Sequence, residues 1–274
     1  MKSRYNEISV VYLHLIKNKN YMARSNSKTK MENPVSRYYE WKSSKESCTW
    51  FNKETKTTEV ASLPMTNLVY LEDKYTVSGW CDEHGAYIKA NEVTSTKKEP
   101  LSVYTWKDGK KIEIAEGLYG NIKETVRAMG GHFTQSVYCM TSTGDIVNFQ
   151  FSKSSRSGIQ SMKIKGTKKT RPWEEGGYEE KYGENNSGWS NFWDNHRDDI
   201  IQKRFSITKS IEAVNGSIKY NVPWFEIAEY DPSQDELIAE KETEILAWLD
   251  YRKAQLEDTP DTEESVIEVS DSEI

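Results

Sequence analysis

LSVYTWKDGKKIEIAEGLYGNIKETVRAMGGHFTQSVYCM, residues 101–140, changes its hydrophobic period twice. Leu101 to Trp106 alternates: Leu101, Val103 and Thr105 share one face and Ser102, Tyr104 and Trp106 the other, the two-residue period of a strand. Lys107-Asp108-Gly109-Lys110 reads as a turn, after which Lys111 to Ala115 resumes the strand. Leu118, Ile122, Val126 and Met129 then follow at spacings of four, four and three. That puts them on one face of a helix, which Gly130-Gly131 closes. His132 to Met140 returns to a strand.

Upstream, Leu68 to Trp80 is rich in β-branched and aromatic residues and stops at the polar turn Asp82–Gly85, and Tyr87 to Thr94 reads as a second strand. Downstream, the turn Thr141–Gly144 leads into Asp145 to Ser152. Three strands, a helix and two strands predict a mostly β, α+β domain with the order of an OB-fold, a five-stranded barrel plugged by a helix. Other α+β folds share that order. Residues 36–230 are expected to form this domain, with residues 166–187 a polar, mobile loop inserted in it. Trp189, Phe192 and Trp193 stand at helical spacing and suit either core packing or base stacking. Arg204 to Val214 and Ser217 to Ile227 predict an added hairpin turned at Asn215-Gly216. Ser233 with Glu236 makes a capping box opening a helix within residues 231–256. Ile238, Ile245, Trp248 and Leu249 form its apolar face, which would dock on the barrel or on a second subunit in a homo-oligomer.

Charge is divided along the chain. Residues 257–274 carry eight acids and no base, and residues 226–256 carry nine acids against Lys241, Arg252 and Lys253. Residues 1–225 therefore hold 34 Lys plus Arg against 26 Asp plus Glu, a net of +8 inside a chain of formal charge -6. The basic body can attract a polyanion, and the acidic, disordered tail, with Glu263, Glu264, Glu268, Asp271 and Glu273, either recruits and regulates partner proteins or merely solubilises the chain. Residues 1–35 read as a basic, disordered leader. Its apolar run Ile8 to Ile16 is too short to span a bilayer, so no membrane partner is expected.

Cys48, Cys81 and Cys139 lack CxxC spacing, and the four histidines form neither HxH nor HxxxH, so neither disulfide framework, metal site nor other cofactor is indicated and a reducing cytoplasm fits. No GxxxxGK[ST], GxSxG or HExxH motif is present, and the chain reads as non-catalytic. Asp194, Asp198 and Asp199 near His196 suit a charged helix end or, alternatively, a nuclease metal site.

A single nucleic-acid strand offers regularly spaced phosphates and flat bases, so a sequence-tolerant binder needs cations along a groove and rings to stack on. Trp80, Tyr87, Lys89, Tyr104, Trp106, Lys107, Lys110 and Lys111 interleave the two in the first three strands. Tyr138, Phe149, Phe151, Lys153, Lys163 and Lys165 continue the pattern. Because a strand sends alternate residues into the core, about half of these rings are expected to be packing.

Several phrases carry a resemblance. Thr76–Trp80 with Asn91-Glu92-Val93, then Glu116–Tyr119 with Ile122-Lys123 and Ser136–Tyr138, are similar to the single-stranded-DNA-binding proteins of tailed bacteriophages. Gly188-Trp189 with Phe192, and Gly216 with Tyr220–Phe225, extend the likeness over about Tyr38 to Tyr230. The resemblance implies an OB-fold, sequence-independent single-strand binding in DNA replication or recombination within a bacterial host, and an acidic tail that contacts partners. The chain departs from it in the long loop before Trp189 and in ending on Ile274 rather than on an aromatic residue. A structural protein of a virion is the competing expectation.

Overall fold

Strand β1 (Val35–Lys42) opens the fold; it buries Tyr39 and Trp41 on one face and, across a register shift between Val35 and Arg37, Val35 on the other. The computed structural model describes residues 31–163, 166, 170–174, 177–201, 203–229 and 231–258; the side chains of 162, 163, 170, 171 and 256–258 are excepted. Most of the leader and the acidic tail lie outside these residues, and Val35, assigned to the leader above, belongs to the sheet. Strands β2 (Ser47–Asn52) and β3 (Thr57–Val60) follow β1 as antiparallel neighbours.

The next strand, β4 (Met65–Cys81), is the spine of the molecule. Strands β5 (Ala86–Ala90), β6 (Leu101–Lys107) and β7 (Lys110–Gly117) come before helix α1 (Tyr119–Ala128), and β8 (Gly131–Met140) and β9 (Ile146–Ser152) come after it. The segment expected as one interrupted strand is a hairpin. Asp108 and Gly109 both take positive φ, 51° and 74°, as a two-residue turn of the I′ kind requires, and β6 and β7 fold back on each other across it. Beyond β9 lie α2 (Lys153–Ser157), the short pair β10 (Met162–Lys163) and β11 (Thr170–Arg171), α3 (Tyr178–Tyr182) and α4 (Gly188–Ile200). The hairpin β12 (Arg204–Asn215) and β13 (Ile218–Ala228) turns where Asn215-Gly216 predicts, and α5 (Asp235–Asp258) follows a single 3-10 turn.

The architecture is mostly β with helices, around a mixed sheet in the order β3-β2-β1-β9-β8-β4-β5-β6-β7. β1 and β9 run parallel and the other neighbours along this path antiparallel, and β12 joins the start of β4. Among the described residues the sheet is open, ending at β3 and β7. β9, whose free edge would have to complete a closed five-stranded barrel, pairs with β1 instead. A bulge at Leu71 shifts the register of β4 against β8, so that Val69 and Leu71 share a face with Glu72, Lys74, Thr76, Ser78 and Trp80.

Each face of the sheet carries its own packing. On one, Ile122 and Val126 of α1 cover Val77, Ile88, Leu101 and Val103, so the helix seals the β4–β7 end. Farther along the same face, Trp189 and Phe192 of α4 pack with Phe149, Phe151, Phe205 and Phe225. The aromatic triplet is thus core, with Trp193 partly buried at its edge. Fully burying side chains of this size stabilises by roughly 1.5–3 kcal/mol each. On the other face, α5 lays Ile245, Trp248 and Leu249 on Val35, Val69, Leu71, Tyr138 and Met140. Its apolar face therefore docks on the chain's own sheet. Asp231 caps the 3-10 turn Pro232–Gln234 that leads into α5, accepting from the Ser233 backbone and hydroxyl, so the Ser233 hydroxyl expected to cap the helix with Glu236 is given to Asp231 instead. The loop expected to be mobile holds Trp173, which is buried in a stack with Tyr178 and Trp224. All three cysteines are fully buried, and burial pushes the Cys48 thiol up to about 12.

Candidate nucleic-acid interface

At the β5–β7 end the sheet has one covered face and one open face. Ile88 on β5 and Leu101, Val103 and Thr105 on β6 point under α1, so the alternate residues face solvent. Trp80 of β4 stands directly opposite Tyr87 of β5, their rings edge to face with centroids 4.9 Å apart. Trp80 is 38 % exposed and Tyr87 58 %, so each ring offers part of its surface to solvent. Lys89 stands opposite Tyr104 of β6, so Tyr87 falls two residues toward Trp106 on the same face. Tyr104 and Trp106 meet edge to face at 6.5 Å. Lys111 of β7 lies opposite Trp106 and sets its ammonium 4.6 Å from the Tyr104 ring centroid. Lys107 and Lys110 flank the turn at the tip, exposed. Eight of the residues singled out from sequence thus form one patch of four rings and four lysines, and the patch is not wholly basic, since Glu113 stands opposite Tyr104.

The patch continues into a cleft of about 400 Å³ beside the last turns of α5. Lys74, Arg252 and Lys253 line it together with Tyr104, Lys111 and the carboxylates of Glu92, Glu99 and Glu116. Arg252 bonds Glu92 at 3.0 Å, and Lys253 lies 3.7 Å from Glu99. Lys74, Arg252 and Lys253 were not legible as interface residues. Arg252 and Lys253 reach the sheet from a helix some 140 residues away in the chain, and Lys74 shares its strand face with Glu72 and Thr76 while its one adjacent ring, Tyr75, points to the other face.

The remaining residues of the sequence pattern fall elsewhere. Tyr138, Phe149 and Phe151 are fully buried and cannot stack on a base without unfolding. β8 and β9 sit mid-sheet with helices on both faces, so both alternating sets of their side chains are inside. Tyr138 points under α5 and donates its hydroxyl to both Glu92 oxygens at 2.8 Å. Burial, and next the Glu92 carboxylate, raise that hydroxyl well above its ordinary range, so it remains a donor. Phe151 stacks on Trp189 at 5.5 Å in the main core, and Phe149 stacks on Phe151 and Tyr39. Lys153 is exposed at the start of α2, on a different element from those that build the patch. Lys163 lies in β10 with its side chain outside the description, and Lys165 and the tail acids Glu263, Glu264, Glu268, Asp271 and Glu273 lie outside the described residues. His196 faces Asn186 at 3.1 Å and Asp199 pairs with Lys203 at 3.0 Å, while Asp198 is almost wholly exposed.

Among the described residues, no helix is long and apolar enough to cross a membrane. Compared with known proteins, the chain matches no family model, no curated protein and no solved structure.

Proposed function

We propose that the chain binds single-stranded DNA without sequence preference, through the open face of β4 to β7, in support of DNA replication or recombination. The observation that carries this reading is the set of four rings, Trp80, Tyr87, Tyr104 and Trp106, on a solvent-facing sheet surface with Lys89 and Lys111 between them. Rings on a surface cost solvation unless something stacks on them, and every base has a face that can. A lysine ammonium over a ring is placed to meet a phosphate while the ring meets the base. In this reading β4 to β9 with α1 are an OB-type unit whose last strand has turned to β1, as the phrases shared with bacteriophage single-strand-binding proteins suggest. The chain acts as a non-catalytic protein in the cytoplasm of a bacterial host, and its acidic tail recruits or regulates replication or recombination proteins. That tail follows α5, whose Arg252 and Lys253 line the cleft that adjoins Tyr104 and Lys111, and in this reading it also competes with DNA for the lysines. An unpartnered apolar face on α5 would favour a virion-assembly role, and that face is occupied by the chain's own sheet.

Titration with poly-dT and with a duplex of equal length, at low and high salt, tests this function. Tight binding of the single strand alone, with quenched tryptophan emission and an affinity that falls as salt rises, is the expected result. Equal affinity for duplex, or none for either, would sink it.

A further inference from the structure

Lys153 is held in an unusual way. It follows β9 directly, and its backbone lies in the left-handed region at φ 47°, a conformation that costs a residue with a Cβ. The turn brings Lys153 and Arg156 of α2 to the rim of a cavity of about 520 Å³, whose other walls are the end of α1 at Arg127 and the start of β8 at His132 and Phe133. Among the described residues no carboxylate lines it. The guanidinium of Arg156 rests 4.7 Å over the Phe133 ring and donates to Gln135 at 3.2 Å, and Gln135 in turn holds Asp73 at 2.8 Å. Arg156 is therefore fixed by a ring and a neutral amide; Asp73 and Asp194 act on its charge from outside the cavity lining and pair with it in no direct salt bridge among the described residues. Arg127 contacts Glu124 at 3.3 Å, an exposed pair that water weakens. Burial, and next the Lys153 charge, hold the His132 imidazole below its ordinary value, so the cavity's cations at neutral pH are Arg127, Lys153 and Arg156.

The floor of the cavity touches the proposed interface. A Cβ on Gly130 would lie 2.1 Å from the Trp80 carbonyl oxygen, so the backbone of the cavity and the backbone beneath the exposed Trp80 ring are in contact. Trp80 stands at the end of β4 and Gly130 directly before β8, so a strand stacked on Trp80 and Tyr87 can pass over the ends of these two strands here. We infer that the cavity is a phosphate-binding subsite that takes the sugar–phosphate backbone of the same strand as it passes Trp80, held by Arg127, Lys153 and Arg156. The inference rests on the single-strand reading above. Guanidinium forks match phosphate oxygens in pairs, and an arginine fixed in advance against a ring loses little freedom on binding. The footprint then bends around the ends of β4 and β8 and is longer than the aromatic patch alone.

The test compares two oligothymidylates, of about 4 and about 16 nucleotides, the range of footprints such folds take. In the doubly substituted Arg127→Gln, Lys153→Gln protein, affinity for the longer strand should fall roughly 10-fold, and the slope of log affinity against log salt should shrink by about 1.4 for two lost phosphate contacts. The shorter strand, which the aromatic patch can cover alone, should bind unchanged. Lys153→Gly removes the amine at a backbone position glycine prefers, so it keeps the fold and should reproduce part of the same loss. Equal weakening on both lengths, or no change on the longer, overturns the subsite. So does loss of inorganic phosphate binding with the longer strand unaffected, which would make the cavity a small-anion site. Failure of the unaltered protein to bind either strand is a separate result and removes the single-strand reading itself.

Discussion

Replacing Trp80 and Tyr87 together by alanine should weaken binding of poly-dT at least about 30-fold while leaving thermal stability nearly unchanged. Each base stacked on a ring is worth roughly 1–3 kcal/mol, so losing two stacking rings costs about 2 kcal/mol at the lower limit. The rings touch each other at 4.9 Å; Tyr87 is mostly open to solvent and Trp80 partly so, and neither belongs to a buried core cluster, so their removal forfeits only modest packing. A pair of this kind contributes about 0.5–1.5 kcal/mol to folding. Tryptophan quenching on DNA should shrink in the same variant, because Trp80 is one of the reporters. Fluorescence titration beside a thermal melt reads both quantities. Unchanged affinity with an unchanged melt would remove these rings from the interface.

Phe151→Ala should do the reverse. Phe151 is fully buried, stacked on Phe149 and Trp189 at 5.8 and 5.5 Å and met edge-on by Phe225. Its truncation leaves a cavity among rings that cannot collapse onto one another, at a cost of about 3–5 kcal/mol. In a chain of this size that lowers the melting temperature by roughly 6–20 °C. The DNA affinity of the molecules still folded should stay within about twofold, since no ring of the open face is within the cluster that Phe151 packs. Urea denaturation beside a titration at low temperature separates the two effects. A large loss of affinity at full stability would place Phe151 at the DNA after all.

These two substitutions mark where the sequence was legible and where it was not. Local patterns spoke clearly where one covering layer decides a residue's fate. The four-four-three spacing of Leu118 to Met129 gave α1, Asn215-Gly216 gave the β12–β13 hairpin, and the alternation of Leu101 to Trp106 put Tyr104 and Trp106 on the open face. Tyr138, Phe149 and Phe151 alternate just as well. What removes them from the surface is that β8 and β9 are covered twice, by α4 on one face and α5 on the other, and those helices come from 40 to 110 residues downstream. Periodicity carries no information about a second layer.

Closure of the sheet was illegible for the same reason. Nothing in Asp145 to Ser152 says that its free edge will pair with Val35–Lys42, more than 100 residues earlier and in parallel. The strand Val35–Lys42 itself did carry a signal, the inward pair Tyr39 and Trp41 with Glu40 between them, but the pair is short and a register shift puts Val35 on the other face. Lys107–Lys110 was recognised as a turn, but only the positive φ of Asp108 and Gly109 distinguishes a reversal into a new strand from an interruption of the old one. Trp173 was lost in a polar, glycine-rich stretch because its partners, Trp224 and Tyr178, lie across a hairpin and a loop.

The most direct measurement is photocrosslinking of the full chain to an oligonucleotide carrying 5-iododeoxyuridine, with the crosslinked residues mapped by mass spectrometry. The account predicts crosslinks to Trp80, Tyr87, Tyr104 and Trp106, suppressed by excess poly-dT and untouched by duplex. Crosslinks confined to the β12–β13 hairpin or to the β1–β3 end of the sheet, with none at these four rings, would contradict it.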